Sequence, residues 1–457
     1  MKKFDVVIVG GGINGCGLFR DLALNKVSTL LIEKGDFSSQ TSQSSSKMLH
    51  GGIRYLENMD FALIQEALEE KNLWLRLAPH LCFEREFYIP LYNYSKYRPW
   101  MLGVGLFAYD FLSHFQNKPY GVLNAKETLE KIPSLDPKGL RGAGRYFDGV
   151  VDDAKLTLEC LYDGLKENCT EALSYHEVVS CKHFETHYEI EYQNVFTKEK
   201  STVEAKYVIF TTGPFTDKLL PQLGIKWENH LVPSKGIHLW IKKEAIQVAG
   251  SVVLNTKDGR VVFVIPQRDA ILVGTTETKV TEDIFNIKAH DHEIEYLLEV
   301  IAQYFPNAHV TKEHIISTYA GVRPLVREGS GENLGKVSRF HKVIRPDSRS
   351  YVLLGGKYTT FRRMAQDIAK ELVPRLGLSY NSNLTLNPLR QKSLMPTFGE
   401  KPKLTLDLVK RIIKEERVTT FQDLIHRRLG ILEDADKITD VMGIPAEEIK
   451  KLPFESP

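Results

Sequence analysis

Near the start of the chain, glycines and one carboxylate have the types and spacing to hold a pyrophosphate and a ribose. The run Gly10-Gly11-Gly12-Ile13-Asn14-Gly15 sets Gly10, Gly12 and Gly15 in G-x-G-x-x-G order. Glycine there lets the backbone approach a pyrophosphate, and the helix that follows offers free N–H groups to it. Glu33 falls eighteen residues beyond Gly15, where its carboxylate would accept a hydrogen bond from a ribose hydroxyl. Next come a Ser-rich stretch over residues 38–47 and the turn His50-Gly51-Gly52-Ile53-Arg54-Tyr55. Alone, the Ser-rich stretch would pass for a linker. Between a nucleotide unit and a His-Gly-Gly turn, it reads as a loop supplying hydroxyls and N–H groups to a cofactor.

These residues need a frame. Phe4–Val9 reads as a buried strand, about Asn14 to Asn25 as a helix, and Thr29–Ile32 as a second strand. Amphipathic helices are expected over residues 60–78 and 152–168, the second opening on Asp152-Asp153 as a helix N-terminus favours. Strands follow at Glu185–Gln193, Ser201–Ala205 and Tyr207–Phe210, the last ending in Thr211-Thr212-Gly213-Pro214. A mostly antiparallel sheet is expected from Ile237–Ile241, Val252–Leu254, Val261–Pro266 and Ile271–Val273, crossed by a helix near Asp291–Phe305. Tyr351–Leu354 returns to glycines at Gly355-Gly356, and a basic helix runs from about Tyr358 to Leu372. After a Pro-containing linker (386–405), three short helices should start near Thr405, near Thr419 or Thr420, and at Pro445.

Composition narrows the class. At 457 residues, two or three domains are expected. A net charge of +2 excludes a strongly basic nucleic-acid binder. Five cysteines (Cys16, Cys82, Cys160, Cys169, Cys181) without a C-x-x-C pair argue for a reducing compartment and against zinc or an iron–sulfur centre. Met1-Lys2-Lys3 resembles the start of an export signal, but Asp5 and the glycines interrupt it. No window approaches the ~20 apolar residues of a membrane span, and the nearest, Trp100–Tyr109, stops at Asp110. A cytoplasmic protein, peripheral on the inner face of the cell membrane, is the expectation.

Over nearly its whole length the chain resembles the FAD-dependent glycerol-3-phosphate dehydrogenases of the aerobic, quinone-linked type. The resemblance rests on the glycine turn, Ser44–Tyr55, Ala78–Leu81, Val151–Ala154, Thr212–Pro214 and Lys235–His238. It continues through Val262–Pro266, Gly274–Glu277, Tyr319–Leu325 and Gly355–Arg362. It implies an α/β fold: a Rossmann-type FAD domain interleaved with a mostly antiparallel substrate domain of the D-amino-acid oxidase type, plus a short α-helical C-terminal cap. The expected division gives 1–80, 150–215 and 346–385 to the FAD domain, 81–149 and 216–345 to the substrate domain, and 386–457 to the linker and cap. Two features depart from the family. Thr211-Thr212-Gly213-Pro214-Phe215 stands where an Ala-Thr-Gly-Pro-Trp turn is usual, and the C-terminal lobe is short.

The implied reaction oxidises sn-glycerol 3-phosphate to dihydroxyacetone phosphate by hydride transfer to FAD, with a quinone as acceptor. An oxygen-dependent oxidase or a 2-hydroxy-acid dehydrogenase are the alternatives. Such chemistry needs a base, and His50 is the first candidate, with His238 the alternative. It also needs cations for a phosphomonoester, for which Arg54, Arg323 and Lys357 are expected, with Arg323 also counted among the catalytic groups. Tyr55 and Tyr319 would add hydroxyls. Cofactor contacts are expected from Gly10, Gly12, Asn14, Gly15, Glu33, Lys34, Thr41, Ser42, Ser45, Ser46 and Lys47. Val179, Thr212, Gly213, Gly355, Gly356, Lys357, Thr359 and Thr360 complete that set. The helix after Gly355-Gly356 would turn its positive end to the flavin's pyrimidine edge. Only about twenty-five residues separate Leu325 from Tyr351, where related oxidases often carry a long insertion, so a dehydrogenase is favoured. Basic residues there (Arg327, Lys336, Arg339, Lys342, Arg345, Arg349), with Lys96, Arg98 and Trp100, suit anionic lipid. Expected partners are the phosphorylated substrate, quinone or another acceptor, a membrane surface and a second copy in a homodimer, with no nucleic acid.

Overall fold

The computed structural model describes residues 1–267, 269–280, 282–327, 341–398, 402–432 and 443–454. The chain opens with β1 (Lys2–Val9), α1 (Ile13–Leu24) and β2 (Thr29–Ile32), a strand–helix–strand unit whose strands pair in parallel. β3 (Met48–Leu49) and α2 (Phe61–Leu77) follow. Then come β4 (Cys82–Tyr92), α3 (Pro99–Leu112), β5 (Gly121–Asn124), α4 (Ala125–Lys131) and β6 (Leu140–Val151). α5 (Asp153–Gly164) leads to β7 (Thr170–Leu173), β8 (His176–His183), β9 (Tyr188–Asn194) and β10 (Lys200–Phe210). After α6 (Thr216–Gln222) run β11 (Leu231–Lys242), β12 (Ser251–Asn255), β13 (Val261–Pro266), β14 (Ala270–Gly274) and β15 (Thr278–Lys279). α7 (Asp291–Tyr304), β16 (Ile315–Val326), β17 (His341–Ile344), β18 (Ser350–Gly355) and α8 (Phe361–Arg375) complete the main body.

Two sheets result. The first has the order β17-β18-β10-β1-β2-β7, with β8 and β9 attached through β10. Its path is parallel except for β17, as befits strands connected through helices on the sheet faces. The second has the order β15-β11-β14-β13-β12-β4-β6-β3, with β16 on β11 and β5 on β6. It is antiparallel apart from the β12–β4 contact. This is the Rossmann-type and antiparallel pairing the sequence implies.

Two stretches expected as separate strands, Ser201–Ala205 and Tyr207–Phe210, are one strand, β10. Its first half pairs antiparallel with β9, and Val203–Phe210 pairs in parallel with β1. The change from alternating to continuous apolar residues marks where the strand becomes covered on both faces, not where it ends. β8 was not foreseen, because its polar residues break any period of two. β9 begins at Tyr188 instead of Glu185.

The first core packs α1, α5 and α8 through Phe19, Leu156 and Ile368. Buried charges cross it in pairs: Arg20 Nε donates to Asp163 at 2.6 Å, and Arg362 Nε to Glu70 at 2.9 Å. The C-terminal cap has its own core of Val409, Ile412, Leu424 and Ile449. Its α9 (Leu406–Glu415) and α10 (Phe421–Asp423) are capped by Thr405 and Thr420 as expected. α10 widens into a π-helix, Leu424–Leu429, which carries Arg427 and Arg428 onto buried Asp36; Arg427 Nε donates to it at 2.6 Å. Pro445 caps the last helix, Ala446–Lys450, instead of opening its first turn.

Candidate active site

A cavity of about 840 Å³ is lined from both sheets. On the first sheet, the glycine turn is held by contacts that a side chain would destroy. Gly10 has φ +109°, and a Cβ there would lie 2.8 Å from Thr211 O. A Cβ on Gly15 would stand 1.9 Å from Gly10 O, so this glycine lets α1 pack against its own turn and does not itself line the cavity. Ser42 Oγ accepts from Ile13 N at 2.8 Å, capping the open end of α1 from the Ser-rich loop. Glu33 accepts from Gly11 N at 2.6 Å and from Gly35 N at 2.8 Å. Burial raises its carboxyl above the usual range, and those two amides pull it back.

The Ser-rich loop then crosses to the second sheet. Thr41 Oγ1 donates to Val322 O at 2.8 Å, and a Cβ on Gly321 would lie 2.8 Å from Ser44. Asp153, the first residue of α5, receives Ser45 Oγ at 2.6 Å and the ammonium of Lys47. Burial raises the Asp153 carboxyl and Lys47 opposes it. Lys47 is thereby committed to Asp153 and does not line the cavity.

His50, Tyr55, His238, Arg323 and Lys357 do line it. Arg323 sits within β16, three residues before its end, and donates to Thr275 Oγ1 at 2.8 Å. Gly236 makes room for it, since a Cβ there would lie 2.4 Å from the guanidinium. Lys357 Nζ lies 4.0 Å from the centre of the Tyr55 ring. His238 is buried, with Nε2 2.9 Å from Ser46 Oγ and its ring stacked on Tyr319 at 4.8 Å. Burial, with Arg323 and Lys47 nearby, pushes its pKa well below the ordinary value. Gly355 and Gly356, at φ +68° and +81°, carry the chain to a 3-10 turn, Tyr358–Thr360, before α8 begins. A short turn therefore precedes the helix start expected beside the flavin.

Other expected residues take different places. Arg54 is exposed: the 3-10 turn Ile53–Asn58 points it outward and buries Tyr55, and its guanidinium lies 5.7 Å from that ring. Tyr319 stands behind the wall, donating its hydroxyl to Ser45 O at 2.7 Å. Thr360 faces the core near Met364. Val178 lines the cavity, together with His176 and Glu177 before it, and Val179 does not. Of the residues expected at the cofactor, Gly10, Gly12, Asn14, Glu33, Lys34, Thr41 and Ser42 line the cavity. So do Ser45, Ser46, Thr212, Gly213, Gly355, Gly356 and Thr359.

The sequence reading missed His176 and Glu177 on β8, and Lys218 on α6. It also missed the stacked pair Phe215 and Phe285, whose ring centres are 4.5 Å apart. Lys34 and Lys218 place their ammonium groups 4.8 and 5.1 Å from the Phe285 ring. Aromatic residues in loops carry no periodic signal, so only the Phe that stands for the usual Trp after Gly213-Pro214 offered a hint.

Residues 5–361 match the family model described as FAD dependent oxidoreductase. An aerobic glycerol-3-phosphate dehydrogenase of Bacillus subtilis (strain 168) is 32% identical over 382 residues, covering 82% of this chain and 68% of the relative. A glycerol-3-phosphate dehydrogenase of Synechocystis is 33% identical over 395 residues, covering 82% and 71%.

The chain belongs to the FAD-dependent glycerol-3-phosphate dehydrogenase family.

Its fold is similar to that of the glycerol-3-phosphate dehydrogenase from Bacillus halodurans complexed with FAD. The TM-score is 0.69 at 24% identity, covering 98% of this chain and 75% of that one. It is also similar to the L-alpha-glycerophosphate oxidase from Mycoplasma pneumoniae, with a TM-score of 0.64 at 18% identity and coverage of 85% and 98%. FAD is the cofactor of this oxidoreductase. The cavity suits it: its volume falls within the ~300–1,000 Å³ of ligand sites, and Gly10, Gly12 and Asn14 at the start of α1 line it. Gly10, Gly12 and Asn14 would hold the pyrophosphate, and Glu33 the ribose.

Proposed function

We propose that this oxidoreductase converts sn-glycerol 3-phosphate to dihydroxyacetone phosphate and passes the electrons to a quinone. The observation that carries this reading is one cavity lined by the glycine turn, by His50, and by Arg323 and Lys357. A phosphomonoester carries nearly two negative charges, and a guanidinium fork with an ammonium answers both charge and shape. His50 takes the C2 hydroxyl proton as the hydride leaves. FAD, when bound, supplies the two-electron acceptor. His238 is the poorer base, since an imidazole with a strongly depressed pKa takes a proton weakly; it orients Ser46 instead. The division into a discontinuous FAD domain, a substrate domain and a helical cap belongs to this reading.

Among the described residues, no helix is long and apolar enough to cross a membrane. α3 nevertheless turns an apolar stripe to solvent: Trp100, Val104, Phe107 and Phe111 are 67%, 61%, 50% and 59% exposed. Their spacing puts them on one helix face, with Arg98 beside its start and Lys96, paired with Glu57 at 2.9 Å, close to it. This stripe is the lipid-docking surface of our reading, through which quinone is met. The segment after β16 contributes less. Arg345 is tied to Glu371 and Arg349 to Glu185 O, while Lys336 and Arg339 lie outside the described residues.

The test is anaerobic mixing of the FAD-loaded enzyme with glycerol 3-phosphate. Rapid bleaching of the flavin, restored faster by a soluble quinone than by air, is the expected result. Faster restoration by air would make it an oxidase, and no bleaching would turn the search to 2-hydroxy acids.

A further inference from the structure

The loop that carries His50 is anchored from behind. It leaves β3 at Leu49 and enters the 3-10 turn at Ile53, so three residues separate two defined elements. Two successive amides tie it down. His50 N–H donates to Thr359 Oγ1 at 3.2 Å, and Gly51 N–H donates to the Tyr109 hydroxyl at 2.9 Å. Tyr109 in turn donates to Asp148 Oδ2 at 2.8 Å. Gly51 has no room for a side chain, because a Cβ would lie 2.7 Å from both the Tyr109 hydroxyl and Leu68.

Tyr109 (α3) and Asp148 (β6) are each 1% exposed, among the apolar side chains of Ile64, Leu68, Phe87 and Val150. Lys71 of α2 is also buried, its Nζ 4.0 Å from Asp148 Oδ1 and donating to Asn117. A phenylalanine at 109 would fill the same space but would leave the buried Gly51 amide and Asp148 Oδ2 without their partner. What the hydroxyl adds is an acceptor aimed at the peptide next to His50. Donating its own proton to a carboxylate makes that oxygen a better acceptor, since linked hydrogen bonds polarise one another.

We propose that Tyr109, backed by Asp148, is a positioning residue that fixes the His50–Gly51 peptide and thereby aims the His50 imidazole at the substrate hydroxyl. This rests on the reading of His50 as the base. Tyr109 does not line the cavity, so it touches neither substrate nor cofactor and acts through the loop.

The experiment is a double-mutant cycle on the FAD-loaded enzyme, read as the rate of anaerobic flavin reduction at saturating glycerol 3-phosphate. Tyr109→Phe alone should slow reduction roughly ten- to hundredfold, the scale of a small misplacement of a catalytic group. Its flavin content and half-saturating substrate concentration should stay at the unaltered values. In a His50→Ala background, adding Tyr109→Phe should cause no further loss, because there is no imidazole left to aim. Asp148→Asn keeps an acceptor oxygen for Tyr109 and should recover much of what Asp148→Leu loses. Should Tyr109→Phe fail to load FAD, Asp148→Leu enters the same cycle, with Asp148→Asn as its conservative control. Equal losses in both backgrounds, or an unchanged rate in Tyr109→Phe, overturn the proposal while leaving His50 as the base. An unchanged rate in His50→Ala alone overturns both.

Discussion

The glycine turn and the cluster around His50 line one cavity but are built in opposite ways. The turn is local: strand, glycines, helix and Glu33 lie within about thirty consecutive residues, and backbone amides make most of its contacts. The cluster draws on side chains from residues 50, 55, 238, 323 and 357, which only the packing of two sheets brings together. A site made of backbone shows itself in sequence as missing side chains. A site made of side chains shows itself only as residue types that are common everywhere.

The difference predicts different failures. Gly15→Ala should do the most damage, since its methyl group must displace Gly10 O from 1.9 Å. Overpacking of this kind costs about 1–3 kcal/mol or more. Flavin-free protein of lowered melting temperature is expected, read from the flavin absorbance per chain and a thermal scan. Full flavin occupancy would break the comparison.

Arg323→Lys should leave the flavin in place and instead raise KM, because an ammonium cannot reproduce a guanidinium fork. Loss of one charge-assisted bond, about 1.5–3 kcal/mol, corresponds to roughly ten- to hundredfold. Arg54→Lys, at an exposed position of the same expected set, should change KM less than about twofold. Steady-state kinetics on the two variants side by side decide whether the cavity, not the motif, selects the cation.

The smallest effect sharpens the contrast between the two imidazoles. His238 has a folded-state pKa well below its ordinary value of 6.5, chiefly through burial. As pH falls below that value the unfolded chain binds a proton that the folded protein refuses, so stability is intact above it and declines on the acid side. The slope from one such group reaches at most about 1.4 kcal/mol per pH unit. Melting temperatures between neutrality and mild acid should fall less steeply in His238→Gln than in the unaltered protein. An unchanged slope would mean that the ring is not held neutral.

Much of the fold was legible. α1, α2, α7 and α8 fall close to their expected ranges, and Thr405 and Thr420 cap the helices they were expected to begin. Other placements were not legible. Val178, beside the expected Val179, lines the cavity, and residue types do not tell which of two adjacent valines faces it. Arg54 shared a motif with His50, yet a 3-10 turn sends neighbouring side chains in different directions. Tyr109 ended a stretch read only as an apolar run, and Asp148 lay where no element was expected.

What the sequence alone determined is whatever neighbours in the chain can decide: the glycine turn, the acid at its second strand, the caps, and the resemblance carried by ordered motifs. Which arginine enters the cavity, which histidine is buried beyond easy protonation, and what holds the His50 loop were decided only by tertiary structure. Those outcomes depend on burial and on contacts between strands and helices dozens to hundreds of residues apart, and no local pattern encodes them.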